Sequence, residues 1–559
     1  MFRSEGKLTS GRSAQSQSTK SGPDALRRQS VPLEGPVWAS ARYRSDLFFT
    51  VVIVLTGTTG VWLRWRDLGS QSLWLDEGFT LWISRFSPRE IWQALKVDTT
   101  SPLHYVLIHY WSMLFGTSEF WLRALSAVFG TLSIPLYYLL ARKILIERTA
   151  VAFAMAFYAV SFFQVWYAKE ARCYALLAFL SLGSVYCLLL YLENRGLARF
   201  CGVVLFLAAS LYTHNMALFY LPGIAVLWLV YPAERRFLAR VKEGLLIGLA
   251  VLLLYLPWLP ILGAQSQRLH RAWTLGPPGI KTLLESLCIL SGFDIPTLQT
   301  LFHDQFHIHV VRLFGVLTWA PAVLVMVVVC IFAADRRKMA ALAVYALSPV
   351  ALTFALSRVS NPIYVNRVFL GCCSVLPMVF AAPIAFQVGN RRKALGVVGL
   401  VVLAGTVVSA AGYLQRAQKE DWRGVTEYLV QLPKSERLIV VSPDIALPLV
   451  HYYAAGLSKS GTPIELTGPL TRFDPPDVDF EKRILGLSDD ANTNVIALLS
   501  HEIASGKYKE VDVAMQLPGW ALEVKPMLEY LAAHCLSTEV VEFYALEVRR
   551  CSVPSTSGN

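Results

Sequence analysis

The stretch WLRALSAVFGTLSIPLYYLLARK, Trp121 to Lys143, decides how the chain is read. From Trp121 to Ala141 it carries a single charge, Arg123, and it ends on Arg142 and Lys143. A helix rises about 1.5 Å per residue and the hydrocarbon of a bilayer is about 30 Å thick, so such a run makes one crossing. The basic pair behind it marks a cytoplasmic end. Similar apolar runs recur on both sides, and the composition agrees: 55% hydrophobic and 16% charged residues over 559 positions exclude an ordinary water-soluble globule.

Working outward, the first span is expected from Leu47 to about Leu63, after a Ser-, Arg-, Lys- and Gln-rich tail over residues 1–46 that reads as disordered and cytoplasmic. A first external loop, residues 64–120, holds two amphipathic segments, Pro88–Lys96 and Pro102–Phe115. The second has too few apolar residues to cross and fits an interfacial helix. With Trp121–Ala141 as the second span, every second loop afterwards is basic: Arg142, Lys143 and Arg148; Arg195 and Arg199; Arg235, Arg236, Arg240 and Lys242; Arg336, Arg337 and Lys338; Arg391, Arg392 and Lys393. All five become cytoplasmic. The remaining spans are expected near Ala150–Trp166, Ala175–Leu192, Phe200–Tyr212, Ala217–Tyr231, Leu245–Pro260, Leu313–Phe332, Ala340–Leu356, Val368–Phe386 and Ala394–Tyr413, for about eleven crossings.

An odd count sends the C-terminus outside. The membrane domain is thus residues 47–413, followed over residues 414–559 by a small α/β extracytoplasmic domain with β-rich runs at Arg437–Val441, Asn494–Leu499 and Val540–Val548 and helical or turn segments at Asp421–Leu432 and Lys525–Cys535. The net charge of +12 is taken up by the basic loops, which leaves no nucleic-acid surface. Most cysteines lie in or near spans and read as small apolar packing groups; Cys535 and Cys551 are the two free to pair, if their region is extracytoplasmic.

The charged residues on the external side carry the chemistry. SLWLDEGF places Asp76 and Glu77 beside a membrane-facing Trp74. Adjacent carboxylates repel, so one of them can act as a general base or ligate a metal; a helix start with acids in its first turn accounts for the same pair. WYAKEARCYAL sets Lys169, Glu170, Arg172 and Tyr174 on that side, where charges near lipid face a cavity or snorkel to headgroups. SRVSNPIYVNRVFL puts Arg358 and Arg367 at the outer boundary of adjacent spans, to hold a lipid phosphate or a headgroup. Asp98 caps the interfacial helix or lines an acceptor path, and His104 stands close in sequence to the first-loop acids. His303 and His307 in FHDQFHIHV share a face if helical and are metal candidates without a fixed third ligand.

In order along the chain, SLWLDEGF, DTTSPLHYVLIHYW, SEFWLRALSAVFG, WYAKEARCYAL, LYTHN and NRVFLGCCSVLP resemble segments of the bacterial C-type (GT-C) glycosyltransferases related to protein O-mannosyltransferases and aminoarabinose transferases. The resemblance runs from about Leu47 to Tyr413, and KEDWRGVTEYL looks like the opening of the variable external domain of many members. It implies a polytopic α-helical membrane protein of the bacterial inner membrane that moves a sugar from a polyprenyl-phosphate donor to a glycan, lipid or protein acceptor, with inversion. Asp76 would be the catalytic base and Glu77 its support. Glu170 would bind a metal or orient the acceptor. Arg367, with Lys169, Arg172 and Arg358, would hold the carrier phosphate, and Trp74, Asp98, His104 and Tyr174 would line the donor and acceptor cavity. A divalent cofactor stays open, with Glu170, His303 and His307 as its candidates. The chain departs from the relatives' His-Pro-Pro or Lys-Pro-Pro, having Thr100, Ser101 and Pro102, so a basic residue expected near the phosphate is absent there. A lipid-linked glycan flippase and an en bloc oligosaccharide transferase or ligase are the rival readings. Polar groups gathered on one side, with no internal repeat, speak against the flippase.

Overall fold

The computed structural model describes residues 37–96, 100–231, 236–272, 276–290, 292, 336–360, 362–386, 400, 403–411, 419–432, 437–442, 446–458, 509–516, and 529–552 apart from 531. The expected span Leu313–Phe332, half of Ala394–Tyr413, and the candidate residues Asp98, His303 and His307 lie outside the described residues.

Helix α1, Val37–Trp65, contains the first span, Asp46–Trp65. Three short helices follow: α2 Leu75–Ile83, α3 Pro88–Ala94 and α4 Leu103–Phe115. Proline at the start of α3 and a reciprocal cap between Ser87 and Glu90 fix where that helix begins. Helix α4 has 13 residues, about 20 Å of length, which is short of a crossing and in keeping with an interfacial position.

Next come α5 Glu119–Ile144, α6 Arg148–Val160, α7 Phe162–Ala168 and α8 Tyr174–Glu193. Among the described residues, five helices are long and apolar enough to cross a membrane: Asp46–Trp65, Glu119–Ile144, Tyr174–Glu193, Phe237–Gln267 and Arg337–Val359. A sixth is added if α6 and α7, bent by 47°, form one span. The chain is therefore a multi-pass membrane protein with five or six candidate spans among the described residues, where the apolar runs led one to expect about eleven. Leu197–Thr213 and Asn215–Val230 stand where two spans were expected but are shorter than a full crossing. The run Val368–Phe386 is divided into the 3-10 turn Asn366–Phe369, the helical turn Leu370–Cys373 and the helix Leu376–Phe386.

The bend between α6 and α7 is held by Arg64. A break at Ser161 frees backbone carbonyls that lipid cannot satisfy, and the Arg64 guanidinium donates to Ala159 O at 3.0 Å as well as to Gly60 O at 2.8 Å. Gly130 leaves the room for this: a Cβ there would lie 2.6 Å from Ala168 Cβ and 3.2 Å from Arg64 Cδ.

Ion pairs order the two ends of the bundle. Lys143 meets Glu193 at 2.5 Å and Arg195 meets Glu243, so three of the basic loops gather at one end. The 26 residues of α5 cover about 39 Å. At its other end Glu119 binds Arg423 at 2.5 Å, beside the loops that carry Asp76 and Glu170.

The C-terminal part holds a four-stranded sheet of β1 Arg437–Ser442, β2 Glu510–Gln516, β3 Ser537–Phe543 and β4 Leu546–Ser552, in the order β1-β2-β4-β3. Strands β1 and β2 are parallel and the other pairs antiparallel. The run Val540–Val548, expected as one strand, turns at Tyr544 and Ala545, where Ala545 has φ 59°, and becomes a hairpin. Cys535 and Cys551 form a disulfide. The expected strand Asn494–Leu499 lies outside the described residues. Helices Trp422–Gln431 and Leu447–Ser458 pack this part onto the first loop. Tyr453 Oη accepts the Leu73 N–H at 2.7 Å, Ser72 Oγ accepts the Arg423 N–H at 3.1 Å, and Gly78 lies so close to Leu449 that a Cβ would fall 2.5 Å from its Cγ.

Candidate active site

Helix α2 starts at Leu75, so Asp76 and Glu77 do occupy a first helical turn, where the helix dipole favours negative charge. Their neighbours at i and i+1 point apart, and the two acids meet different surroundings.

Glu77 is fully buried. Its carboxylate accepts from Arg123 Nη2 at 2.6 Å and Nε at 2.9 Å, from the Ala171 N–H at 2.9 Å, from Lys419 Nζ at 3.0 Å, and from the Trp74 N–H at 3.4 Å. Burial pushes its carboxyl up, but Arg123 and Lys419 outweigh that and hold it at about 2. Arg123 is completed by the carbonyls of Leu68, Gln71 and Ser72 at 3.1, 2.9 and 2.8 Å. A carboxylate so occupied has no free lone pair for a substrate proton; it fixes the loop that presents Asp76.

Asp76 is part-exposed, with 27% of its side chain accessible. Its Oδ2 accepts from Arg367 Nη1 at 2.8 Å and lies 3.8 Å from Arg172 Nε. Arg172 is buried and donates through Nη1 to Asp76 O at 3.2 Å and to Tyr105 Oη at 3.1 Å. Arg367, from the turn Asn366–Phe369, lies 5.7 Å over the Tyr174 ring, which in turn packs on Tyr167 and His214. The sequence-expected Asp76, Arg172, Arg367 and Tyr174 are thus brought together from three separate segments.

Glu170, in the turn between α7 and α8, is buried. Its Oε1 accepts from Trp166 Nε1 at 2.5 Å and stands 3.9 Å from Lys419 Nζ, while Oε2 has no hydrogen-bond partner. Burial raises its carboxyl above the ordinary range, against the pull of Lys419. His104 is buried beside Tyr105, and burial together with Arg172 lowers it to about 3, so it is neutral at pH 7. Trp74 immediately precedes α2, with its indole N–H buried and unpartnered.

Two further expected residues have other neighbours than Asp76. Arg358 donates to Pro278 O at 3.3 Å. Lys169, lowered to about 8 by burial, has Asp67, Lys419, Arg123 and Arg66 as its charged neighbours. Three residues that complete the site escaped the sequence reading. A charge inside a span, Arg123, could have been found by its cost in lipid. Tyr105 and Lys419 carried no such signal.

Among the described residues no group of three or more His, Cys, Asp or Glu converges, Glu77 is occupied by protein cations, and Asp76 Oδ2 by arginines.

Residues 99–261 match the family model of dolichyl-phosphate-mannose-protein mannosyltransferase. No curated protein matches the sequence. The crystal structure of ArnT from Cupriavidus metallidurans bound to undecaprenyl phosphate aligns with a TM-score of 0.50 at 13% identity, over 92% of this chain and 99% of that one. Its apo form gives 0.51 at 12% identity, over 91% and 98%. At these identities the likeness is one of fold. The chain is a multi-pass membrane protein with the fold of the C-type glycosyltransferases, similar over residues 99–261 to the dolichyl-phosphate-mannose-protein mannosyltransferase family.

Proposed function

We propose that the protein transfers a sugar from a polyprenyl-phosphate donor to an acceptor hydroxyl on the extracytoplasmic face of the bacterial inner membrane, with inversion at the anomeric carbon. The observation that carries this reading is the convergence of Arg367 and Arg172 on one oxygen of the part-exposed Asp76. Both cation contacts fall on Oδ2, so Oδ1 is the atom that takes the acceptor's proton as its oxygen attacks. The anomeric C–O bond breaks on the opposite side and its electron pair passes to the carrier phosphate. Arg367 holds that developing charge: an arginine fork suits phosphate as well as carboxylate, and such placed donors act on the transition state. Glu77 is the fixed support, while Glu170, His104, Trp74 and Tyr174 surround the reacting groups.

The disulfide between Cys535 and Cys551 supports an extracytoplasmic sheet region, because such bonds persist in oxidising compartments. The basic ends joined by Lys143–Glu193 and Arg195–Glu243 then face the cytoplasm. The bound undecaprenyl phosphate of the ArnT structure supports a carrier of that class for this chain.

The test is product analysis. Membranes containing the protein and a labelled polyprenyl-phosphate sugar are expected to consume the donor and release polyprenyl phosphate. Relocation of an intact lipid would mark a flippase, and consumption of diphosphate donors alone would mark an en bloc transferase; either result would end the proposal.

A further inference from the structure

Two buried carboxylates, Glu77 and Glu170, flank the ammonium of Lys419, at 3.0 and 3.9 Å. The Lys169 carbonyl, at 3.5 Å, accepts from the same nitrogen. An ammonium has three N–H groups; two of them are taken by Glu77 Oε1 and the Lys169 carbonyl, and Glu170 faces the same nitrogen as an ion-pair partner. Lys419 is itself buried, with 8% of its side chain accessible. Buried carboxylates need a cation near them, and a divalent ion bridging Glu77 Oε1 and Glu170 Oε1 would stand about 2.0–2.6 Å from each, in the space the ammonium fills.

Lys419 is held in place from two directions. The neighbouring Glu420 accepts through Oε2 from the Leu75 N–H at 3.2 Å and from Trp422 Nε1 at 2.8 Å. Its Oε1 accepts from Gln516 Nε2, in β2, at 2.5 Å. The residue pair Lys419–Glu420 therefore ties the start of α2 to the sheet region and sets the ammonium between the acids.

We propose that Lys419 is a built-in counter-cation that stands where a divalent ion would otherwise bridge Glu77 and Glu170, so that the site works without a divalent metal. It is a positioning residue, acting through Glu77 on the loop that carries Asp76, and its effect on transfer rests on the function proposed above. The sheet region is on this account part of the active site.

The test uses purified full-length protein and Mn2+ as the probe, with free Mn2+ followed by electron paramagnetic resonance. Wild-type protein is expected to bind no Mn2+ at this position, and its transfer rate to be unchanged when EDTA replaces Mg2+. Lys419→Ser is expected to bind one Mn2+ per chain, to lose about 10- to 100-fold of its metal-free transfer rate, as losing a supporting contact typically does, and to recover part of it with Mn2+. Lys419→Arg, which keeps the charge, should bind none. Wild-type binding of Mn2+ that Glu170→Gln abolishes, wild-type transfer that EDTA stops, or a folded Lys419→Ser that takes up no Mn2+ would each overturn the proposal. The wild-type arms stand even if Lys419→Ser fails to fold. Mn2+ binding needs no sugar donor, so a protein that transfers no sugar would sink the proposed function while this inference is still decided by the Mn2+ result.

Discussion

Adjacent residues in one helical turn have opposite properties here because of what each one faces. Asp76 stays accessible beside Arg367, whereas Glu77 is sealed against Arg123 and Lys419. Breaking a buried ion pair by removing one partner costs about 3–5 kcal/mol, so Arg123→Leu is expected to lower the unfolding temperature in detergent sharply. An unchanged melting curve would remove the pair from its supporting role. The same carboxylate sets an acid limit. Its folded value of about 2 lies below the ordinary 4.5, so its contribution is complete above the higher value and is lost as pH falls through the lower one. Glu77→Gln should flatten acid unfolding in that window. Arg367→Ala is expected to raise the apparent KM for the donor about 10- to 100-fold, the weight of a charge-assisted hydrogen bond, while Arg358→Ala leaves it unchanged. Equal KM values in the two variants would make Arg367 a headgroup contact.

Between neighbouring elements, small residues set the spacing. A Cβ on Gly223 would meet Ser348 Oγ at 2.7 Å and the Tyr345 Cα at 2.8 Å, and a backbone atom cannot swing aside. Gly223→Ala is therefore expected to cost about 1–3 kcal/mol, read as a lower unfolding temperature; an unaltered value would contradict the packing described. Hydropathy made the long spans legible, because Trp121–Ala141 and Ala175–Leu192 are continuous apolar runs that become α5 and α8. It could not show breaks inside such runs. Ser161 interrupts α6 and α7 through backbone geometry held by a distant Arg64, and Ala545 turns a hairpin with no glycine or asparagine to announce it. Strand β2 was hidden for another reason: Asp512 sits fully buried within it, paired with Arg550 at 3.2 Å, so the run does not read as apolar.

Across the whole molecule, the candidate site is assembled from segments far apart in sequence. The acids and arginines of these loops were legible because charge beside lipid needs a reason. Their supports were not: Lys419 meets Glu77 across 342 positions and Tyr453 meets Leu73 across 380, and no local pattern encodes such contacts. The C-terminal part is on this view a clamp on the first loop. Removing residues 419–559 is expected to abolish transfer although it spares every described membrane helix. Full activity in that truncation would show that the loop holds itself.

The most direct test of Asp76 as the base is Asp76→Asn in purified, detergent-solubilised protein supplied with a polyprenyl-phosphate sugar and an acceptor. The account predicts a fall in turnover of at least about 100-fold, the usual contribution of a positioned base, with donor binding and unfolding temperature close to wild type. Near-normal transfer by that variant would contradict it.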